Sequence, residues 1–190
     1  MDIYQLIDDS SYKSYKLIGG TSKLITFKGQ SLINSWEELE GEVYKNFDNK
    51  GKKDGFDARV AGAFLVMEKE KATLFTRRIN VKAELLPFKF VNVKKDFVFI
   101  NIQNVIEGIN NEGVSHLKRM ELYRNKDLYF YEEASMNVIF RDATSEIKLF
   151  CTQELESILN ELDIKGLALE KVGKVASIPS FPKERNIFNK

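Results

Sequence analysis

Short apolar runs along this chain alternate with polar, glycine-containing segments, and the runs predict a series of strands. The clearest runs are residues 2–7, 61–67, 84–91 and 97–102, which are rich in β-branched and aromatic side chains. Residues 92–96, between the last two runs, have the composition of a hairpin turn. The pattern predicts further strands at residues 119–123, 128–131, 138–140, 147–151 and 167–170, and residues 23–27 are expected to pair with one of the N-terminal strands.

Helical spacing is clearest near the C-terminus, where Leu155, Ile158, Leu159 and Leu162 fall on one face of a helix. The hydroxyl of Thr152 is placed to cap this helix. A second helix is predicted for residues 68–79, which contain good helix formers. A third is predicted around residues 35–40, with Ser35 as its cap. No internal repeat is evident in the sequence.

These elements predict an α+β protein with a mixed, largely antiparallel sheet and a few packed helices. We expect an N-terminal α/β lobe over residues 1–80 and a C-terminal α+β lobe over residues 81–172, packed as one compact unit. Residues 173–190, which contain Pro179 and Pro182, are expected to form a tail.

The charge balance narrows the function classes. The chain has 29 Lys and Arg against 28 Asp and Glu, so its net charge of +1 gives no global attraction to nucleic acid or to an anionic membrane. The N-terminus lacks the features of a secretory signal, and no run approaches the length of a membrane span. We therefore expect a cytoplasmic protein with no nucleic-acid or membrane partner.

Catalytic and metal-binding candidates are few. The chain has one cysteine and one histidine, too few for a Cys/His zinc site. Cys151 precedes a predicted helix, a place where a thiol pKa can fall, but it also ends an apolar run and so favours a core position. Ser115 and His116 are adjacent, which rarely aims one side chain at the other, and an exposed histidine is the favoured interpretation.

Two loops carry incomplete ligand patterns. Residues 46–57 contain three aspartates, but lysines stand where calcium ligands would be needed and no glutamate closes the loop. Residues 19–23 have the residue types of a phosphate loop in the wrong order. We expect no metal, no cofactor and no catalysis.

The order of the motifs in the C-terminal half resembles the bacterial immunity proteins of polymorphic toxin systems, specifically the family numbered Imm eleven. The motifs that carry the resemblance are Glu84-Leu85-Leu86-Pro87, Phe99-Ile100-Asn101-Ile102-Gln103-Asn104-Val105-Ile106, Tyr129-Phe130-Tyr131, Val138-Ile139-Phe140-Arg141, Leu149-Phe150-Cys151-Thr152 and Ile164-Lys165-Gly166-Leu167-Ala168-Leu169. In the first half, Trp36 and residues 54–57 are similar to weaker marks of the family.

Membership would imply a protein that binds and neutralises a cognate toxin, with no catalytic motif to carry over. Contact would occlude or distort the toxin's active site through an interface of about 800 Å² per partner. We expect Trp36, Glu37, Glu38 and Glu40 to contribute, because an acidic segment with an aromatic anchor suits a basic cleft. A half-buried tryptophan beside a solvated acidic face is the alternative for that segment. A generic protein- or ligand-binding module is the alternative function, and an enzyme that uses Cys151 or the Ser115–His116 pair is a third.

Overall fold

The computed structural model describes residues 1–19, 24, 28–44 and 50–178, without the side chain of Glu146. These residues form twelve strands, three α-helices and a five-residue 3₁₀ helix. In chain order the elements are β1 (Asp2–Asp8), β2 (Tyr15–Leu17), β3 (Leu39–Val43), β4 (Ala58–Ala61), β5 (Phe64–Glu68), α1 (Lys69–Ile79), β6 (Ala83–Phe90), β7 (Phe97–Ile102), β8 (Val105–Ile106), α2 (His116–Asn125), β9 (Leu128–Phe130), the 3₁₀ helix (Glu132–Met136), β10 (Ile139–Asp142), β11 (Ser145–Cys151), α3 (Glu154–Glu161) and β12 (Leu167–Val175).

The strands form two six-stranded sheets. Sheet one has the order β8-β10-β11-β1-β12-β9, and sheet two has the order β2-β3-β6-β7-β5-β4. Most neighbouring strands are antiparallel, and the parallel pairs are β8 with β10, β9 with β12 and β3 with β6. The predicted α+β class with a largely antiparallel, mixed arrangement is confirmed. No helix of the described residues combines the length and the apolar character that a bilayer crossing requires.

Five strands of each sheet share one topology. The order β4-β5-β7-β6-β3 in sheet two matches β10-β11-β1-β12-β9 in sheet one, and in both sets three antiparallel pairings are followed by one parallel pairing. A helix joins the second strand to the fourth in each set, α1 in one and α3 in the other. The repeat lies in backbone pairing, which many side chains can support, so it leaves no visible period in the sequence.

The two sets differ in the source of their central strand. In sheet two the central strand is β7, which follows β6 through a hairpin. In sheet one it is β1, from the N-terminus of the chain. The N-terminal strand is therefore part of the middle of a sheet built otherwise from the second half of the chain.

A core shared by both sheets lies against α1 and α3. It includes Leu6 of β1, Ile100 of β7, Phe75 of α1 and Leu159 of α3. An aromatic core on the other face of sheet two contains Phe64, Phe88, Phe90, Phe97 and Phe99. A third core lies on the other face of sheet one, beneath α2 and the 3₁₀ helix. Burial on both faces explains why β7 has no exposed residue.

Most of the predicted strands, the helix at residues 68–79 and the helix after Cys151 are confirmed. The strand predicted at residues 119–123 is wrong, because these residues lie in α2, where the side chain of Ser115 accepts a hydrogen bond from the backbone N–H of Lys118. The helix predicted at residues 35–40 is also wrong: a turn at residues 33–35 leads into β3.

Two boundaries also change. The helix α3 begins at Glu154 with Gln153 at its N-cap, so the predicted cap by the Thr152 hydroxyl is wrong. The last strand continues to Val175, so residues 173–175 belong to β12 and not to the predicted tail. The structure does not describe residues 179–190 of the predicted tail. The strand predicted at residues 23–27 also lies outside the described residues, except for Leu24.

The division into lobes at residues 80 and 81 stays a prediction. Sheet two draws β2 to β5 from the first predicted lobe and β6 and β7 from the second. Sheet one combines β1 of the first predicted lobe with strands of the second. Each sheet therefore contains strands from both sides of that division.

The position of β1 predicts that the chain tolerates circular permutation. The backbone N–H of Val175 donates to the carbonyl oxygen of Met1 at 2.8 Å, so the ends of β12 and β1 already meet. In a permutant that joins Lys190 to Met1 and opens between Asp9 and Ser10, β1 would follow β12 as β7 follows β6. We expect the permutant to unfold cooperatively, with a free energy of unfolding within about 2 kcal/mol of the parent. The reason is that closing the loop from the end of β12 to β1 costs little. Loss of a cooperative denaturation curve by circular dichroism would contradict the matched topology.

Candidate functional site: a groove at the joint between the sheets

An open groove of about 570 Å³ lies where the end of β1 meets β2 and the β4–β5 hairpin. We call it the joint groove. Its size falls within the range of roughly 300 to 1,000 Å³ that is usual for ligand sites. Its lining is more apolar than polar and consists of Asp8, Ser14, Tyr15, Lys16, Leu17, Leu24, Tyr44, Val60, Ala61, Gly62, Ala63 and Ile147.

The buried side chain of Arg59 hydrogen-bonds three backbone segments beside the joint groove. Its Nη1 donates to the carbonyl oxygens of Asp9 at 2.8 Å and Gly166 at 3.0 Å, and its Nη2 donates to that of Tyr12 at 3.4 Å. Arg59 belongs to sheet two, whereas Asp9 follows β1 and Gly166 precedes β12 of sheet one. A single guanidinium therefore links both sheets and the segment that leads to β2.

The same joint depends on a close approach at Gly166. This residue has a φ of +105°, and a Cβ added there would lie 2.3 Å from the carbonyl oxygen of Ala58. Only glycine accepts both the backbone angle and the contact. The backbone N–H groups of Asp57 and Ala58 donate to the carbonyl oxygen of Lys165, which closes the outer edge of β4 at that point.

Asp57, next to this contact, is a buried carboxylate with several partners. Its Oδ2 accepts hydrogen bonds from Lys71 Nζ at 2.8 Å and from the backbone N–H of Lys165 at 3.1 Å, and Lys95 Nζ lies 3.5 Å from its Oδ1. Burial acts to raise the pKa of Asp57, but these hydrogen bonds and the two lysine charges outweigh it and lower the pKa. Asp57 therefore carries a well-satisfied charge.

Asp8, in the wall of the joint groove, is less well compensated. Its Oδ1 accepts a hydrogen bond from the backbone N–H of Val60 at 2.7 Å, while its Oδ2 lies 3.7 Å from Arg59 Nη2. Burial raises the pKa of Asp8, and neither the Val60 hydrogen bond nor the charge of Arg59 cancels that effect. The groove thus presents a half-buried carboxylate that would gain from a further donor.

The four predicted contact residues lie close to sheet two, but they differ in role. The Trp36 ring packs 5.4 Å from the ring of Phe99, measured between centroids, and its Nε1 donates to the carbonyl oxygen of Pro87 at 2.8 Å. Trp36 is therefore an anchor for its own segment on the aromatic core. Glu37 and Glu38 are exposed, and Glu40 is half-buried within β3.

Lysines surround part of this acidic segment. Glu38 lines a second open groove, of about 600 Å³, together with Lys69, Lys89, Lys94 and Lys95. Glu40 stands opposite Lys89 in the parallel pairing of β3 and β6. The surface near Glu38 is therefore of mixed charge and not uniformly acidic.

The catalytic candidates are placed apart from one another. Cys151 is fully buried in the shared core, and burial raises the pKa of its thiol, which is the opposite of the lowering that a helix N-terminus would provide. The Ser115 hydroxyl oxygen caps α2, and His116 is exposed on that helix.

Part of the aspartate loop, residues 46–49, lies outside the described residues. Within the described ranges, no group of three or more His, Cys, Asp or Glu is placed to hold a metal ion.

Sequence reasoning missed Asp8 and Arg59, the two charged groups of the joint. A charged residue inside a short strand of small apolar residues, as at Arg59, was the available signal. It also missed Arg141, whose buried Nε donates to the carbonyl oxygen of Ile102 and whose Nη2 donates to Asn101 Oδ1. Asn101 in turn donates to Glu84, which accepts the Ser31 hydroxyl and the Leu32 N–H. This network holds the segment around residues 30–32 on sheet two.

Comparison with protein-family models gives no match for this chain, and comparison with curated proteins gives none either.

The opposite pKa directions of Asp57 and Asp8 predict opposite effects of neutralising each of them. The lowered pKa of Asp57 adds stability that is present above the unfolded value, near 3.8, and is lost as pH falls through the folded pKa. We expect Asp57→Asn to lower the free energy of unfolding by about 1–3 kcal/mol at pH 7. The free energy of unfolding of this variant should also depend less on pH in acid.

The raised pKa of Asp8 has the reverse sign, because its stability contribution is complete below the unfolded value and is lost as pH rises through the folded pKa. Asp8→Asn keeps an oxygen that can accept from Val60 and should leave stability at pH 7 unchanged or higher. Urea unfolding between pH 3 and pH 7 checks both variants. A destabilised Asp8→Asn beside an unaffected Asp57→Asn would contradict this assignment.

Proposed function

We propose that this chain is an immunity protein that binds and neutralises a cognate bacterial toxin through protein–protein contact, without catalysis of its own. The proposal starts from the resemblance of the ordered motifs to the Imm eleven family. The observation that supports a contact mechanism is the joint groove, which is open, has an apolar lining and carries one incompletely compensated carboxylate.

The proposed partner is a toxin protein with a basic contact surface. Asp8 in the joint groove and the exposed Glu37 and Glu38, which precede β3, are the acidic groups that a basic surface would meet with opposite charge. Near Glu38 the partner would also meet the lysines of the second groove. Trp36, Glu37, Glu38 and Glu40 stay the predicted contact residues, with Trp36 holding the segment in place. The proposal places the protein in the cytoplasm, where a single reduced cysteine is ordinary.

A ligand-binding module is the second candidate, because the volume and the apolar lining of the joint groove also suit a small molecule. Such a ligand would bind without any partner protein. A ligand-binding module would bind its small molecule as a purified chain, whereas an immunity protein would bind the toxin. A toxin-binding assay therefore separates the two candidates.

Binding to the product of the adjacent gene tests the proposed function. We expect co-expression of this chain to restore growth to cells that produce that protein. We also expect the purified pair to form a 1:1 complex by calorimetry, with an interface of about 800 Å² on each partner. Growth inhibition that persists, together with no heat of binding, would contradict neutralisation by contact.

A matched pair of charge reversals tests the predicted contact segment. If residues 36–40 contact a basic surface, Glu37→Lys with Glu38→Lys should weaken binding by about tenfold or more, through like-charge repulsion. Glu132→Lys with Glu133→Lys reverses two adjacent exposed glutamates on the 3₁₀ helix and should leave binding unchanged. Equal affinities for the two double variants would place the contact elsewhere.

A further inference from the structure

Among the described residues, the outer edge of β2 has no hydrogen-bonded neighbour, whereas two other sheet edges are bonded to neighbouring groups. The β4 edge is closed by the carbonyl oxygen of Lys165 and by the carboxylate of Asp8. The β9 edge is bonded to the segment around Gly108–Asn110. A strand edge with unpaired N–H and C=O groups is a template for pairing with another chain.

The register of β2 identifies the unpaired groups. The backbone N–H of Ile18 donates to the carbonyl oxygen of Glu40, and that of Tyr44 donates to the carbonyl oxygen of Ser14. In an antiparallel pair the bonded positions alternate, so Lys16 bonds to β3 while Tyr15 and Leu17 direct their backbone groups away from it. In the described part of the chain, no hydrogen bond reaches the backbone N–H or C=O of Tyr15 or Leu17.

These outward groups belong to residues that line the joint groove. The three residues of β2 give an edge about 10 Å long, enough to bond a short extended segment. The opposite wall is formed by Val60, Ala61 and Gly62 of the β4–β5 hairpin. As far as the described residues go, the groove is therefore bounded on one side by a strand edge without hydrogen-bonded neighbours and on the other by an edge that Asp8 and Lys165 occupy.

The charged side chains in and beside the groove indicate which kind of side chain would bind there. Lys16 lies 3.3 Å from Glu42, and Arg59 already serves three carbonyl oxygens. The carboxylate of Asp8 remains as a half-buried acceptor with a weak ion pair at 3.7 Å. A cationic side chain that entered the groove would meet a carboxylate in partly dry surroundings, where a charge-assisted hydrogen bond is stronger than in water.

We propose that the joint groove takes an extended segment of the toxin, which adds as a strand beside β2 and places a Lys or Arg side chain against Asp8. This inference rests on the proposed function and identifies the surface and the partner chemistry. Backbone pairing to Tyr15 and Leu17 supplies affinity, and the side-chain contact with Asp8 supplies selectivity.

Amide hydrogen exchange measured by NMR tests the pairing directly. In the free protein, the amides of Tyr15 and Leu17 should exchange quickly, while that of Lys16, bonded to β3, is protected. In the complex with the product of the adjacent gene, Tyr15 and Leu17 should slow by about a hundredfold. Lys16 should change little and is the internal control. Tyr15 and Leu17 amides that are already protected in the free protein, or unchanged in the complex, would overturn the proposal.

A pair of substitutions at the groove rim tests the charge. Ile147 lines the groove and is 53% exposed, so a polar residue there should not unfold the protein. We expect Ile147→Lys to weaken toxin binding by about tenfold and Ile147→Glu to preserve or improve it. Leu117→Lys and Leu117→Glu, at a 71% exposed position on α2, should bind like the parent. Equal weakening by both Ile147 variants would overturn the basic-side-chain assignment.

Synthetic peptides separate failure of this inference from failure of the proposed function. The probes are a seven-residue peptide of alternating Val and Thr with a central Lys, and its central-Glu counterpart. If the toxin does not bind but the Lys peptide protects Tyr15 and Leu17, the groove assignment stands and the immunity function falls. If the toxin binds and protects another surface, the function stands and the groove assignment falls. Protection that grows with protein concentration alone would assign the edge to a second copy of this chain and overturn the toxin segment.

Discussion

The guanidinium of Arg59 is the interaction on which the joint between the two sheets depends. It is 1% exposed and donates to three carbonyl oxygens, on segments that leave β1, lead to β2 and enter β12. Both Nη atoms of Arg59 have acceptors, while its buried Nε has none among the described residues. A planar fork can serve several acceptors that a lysine ammonium could not reach together, which offsets the cost of burying the cation. The joint groove depends on this joint, because Arg59 directly precedes Val60 of its lining and Asp9 directly follows Asp8.

The repeated topology explains why a groove forms at this place. Each set of five strands buries one face against the shared core, yet the central strand of sheet one is supplied by the N-terminus. The chain must therefore leave β1 at Asp8, pass the β4 edge and start sheet two at β2. That passage brings two strand edges and a carboxylate together without closing the gap between them. The N-terminal origin of β1, which completes sheet one, thus leaves the β2 edge without a bonded neighbour in the part of the chain that the structure describes.

Local patterning predicted much of the fold, because most strands and α3 carry the periodicity of their own secondary structure. It failed for α2, where Arg119-Met120-Glu121-Leu122-Tyr123 alternates like a strand but a capping serine and the packing of Leu122 favour a helix. It also failed for β3, whose Leu39-Glu40-Gly41 becomes a strand by pairing with β6, about fifty residues away. The joint groove depends on contacts such as that between Arg59 and Gly166, which are 107 residues apart, so no local pattern could reveal it.

If one buried guanidinium fixes the joint beside the groove, the stability of Arg59→Lys should show it. Arg78→Lys is the matched control, because Arg78 makes an exposed pair with Glu161. In urea unfolding at pH 7, we expect Arg59→Lys to lose about 3 kcal/mol of unfolding free energy, since a lysine keeps the buried charge but not the fork. We expect no measurable loss for Arg78→Lys. Equal stability of the two variants would contradict the claim.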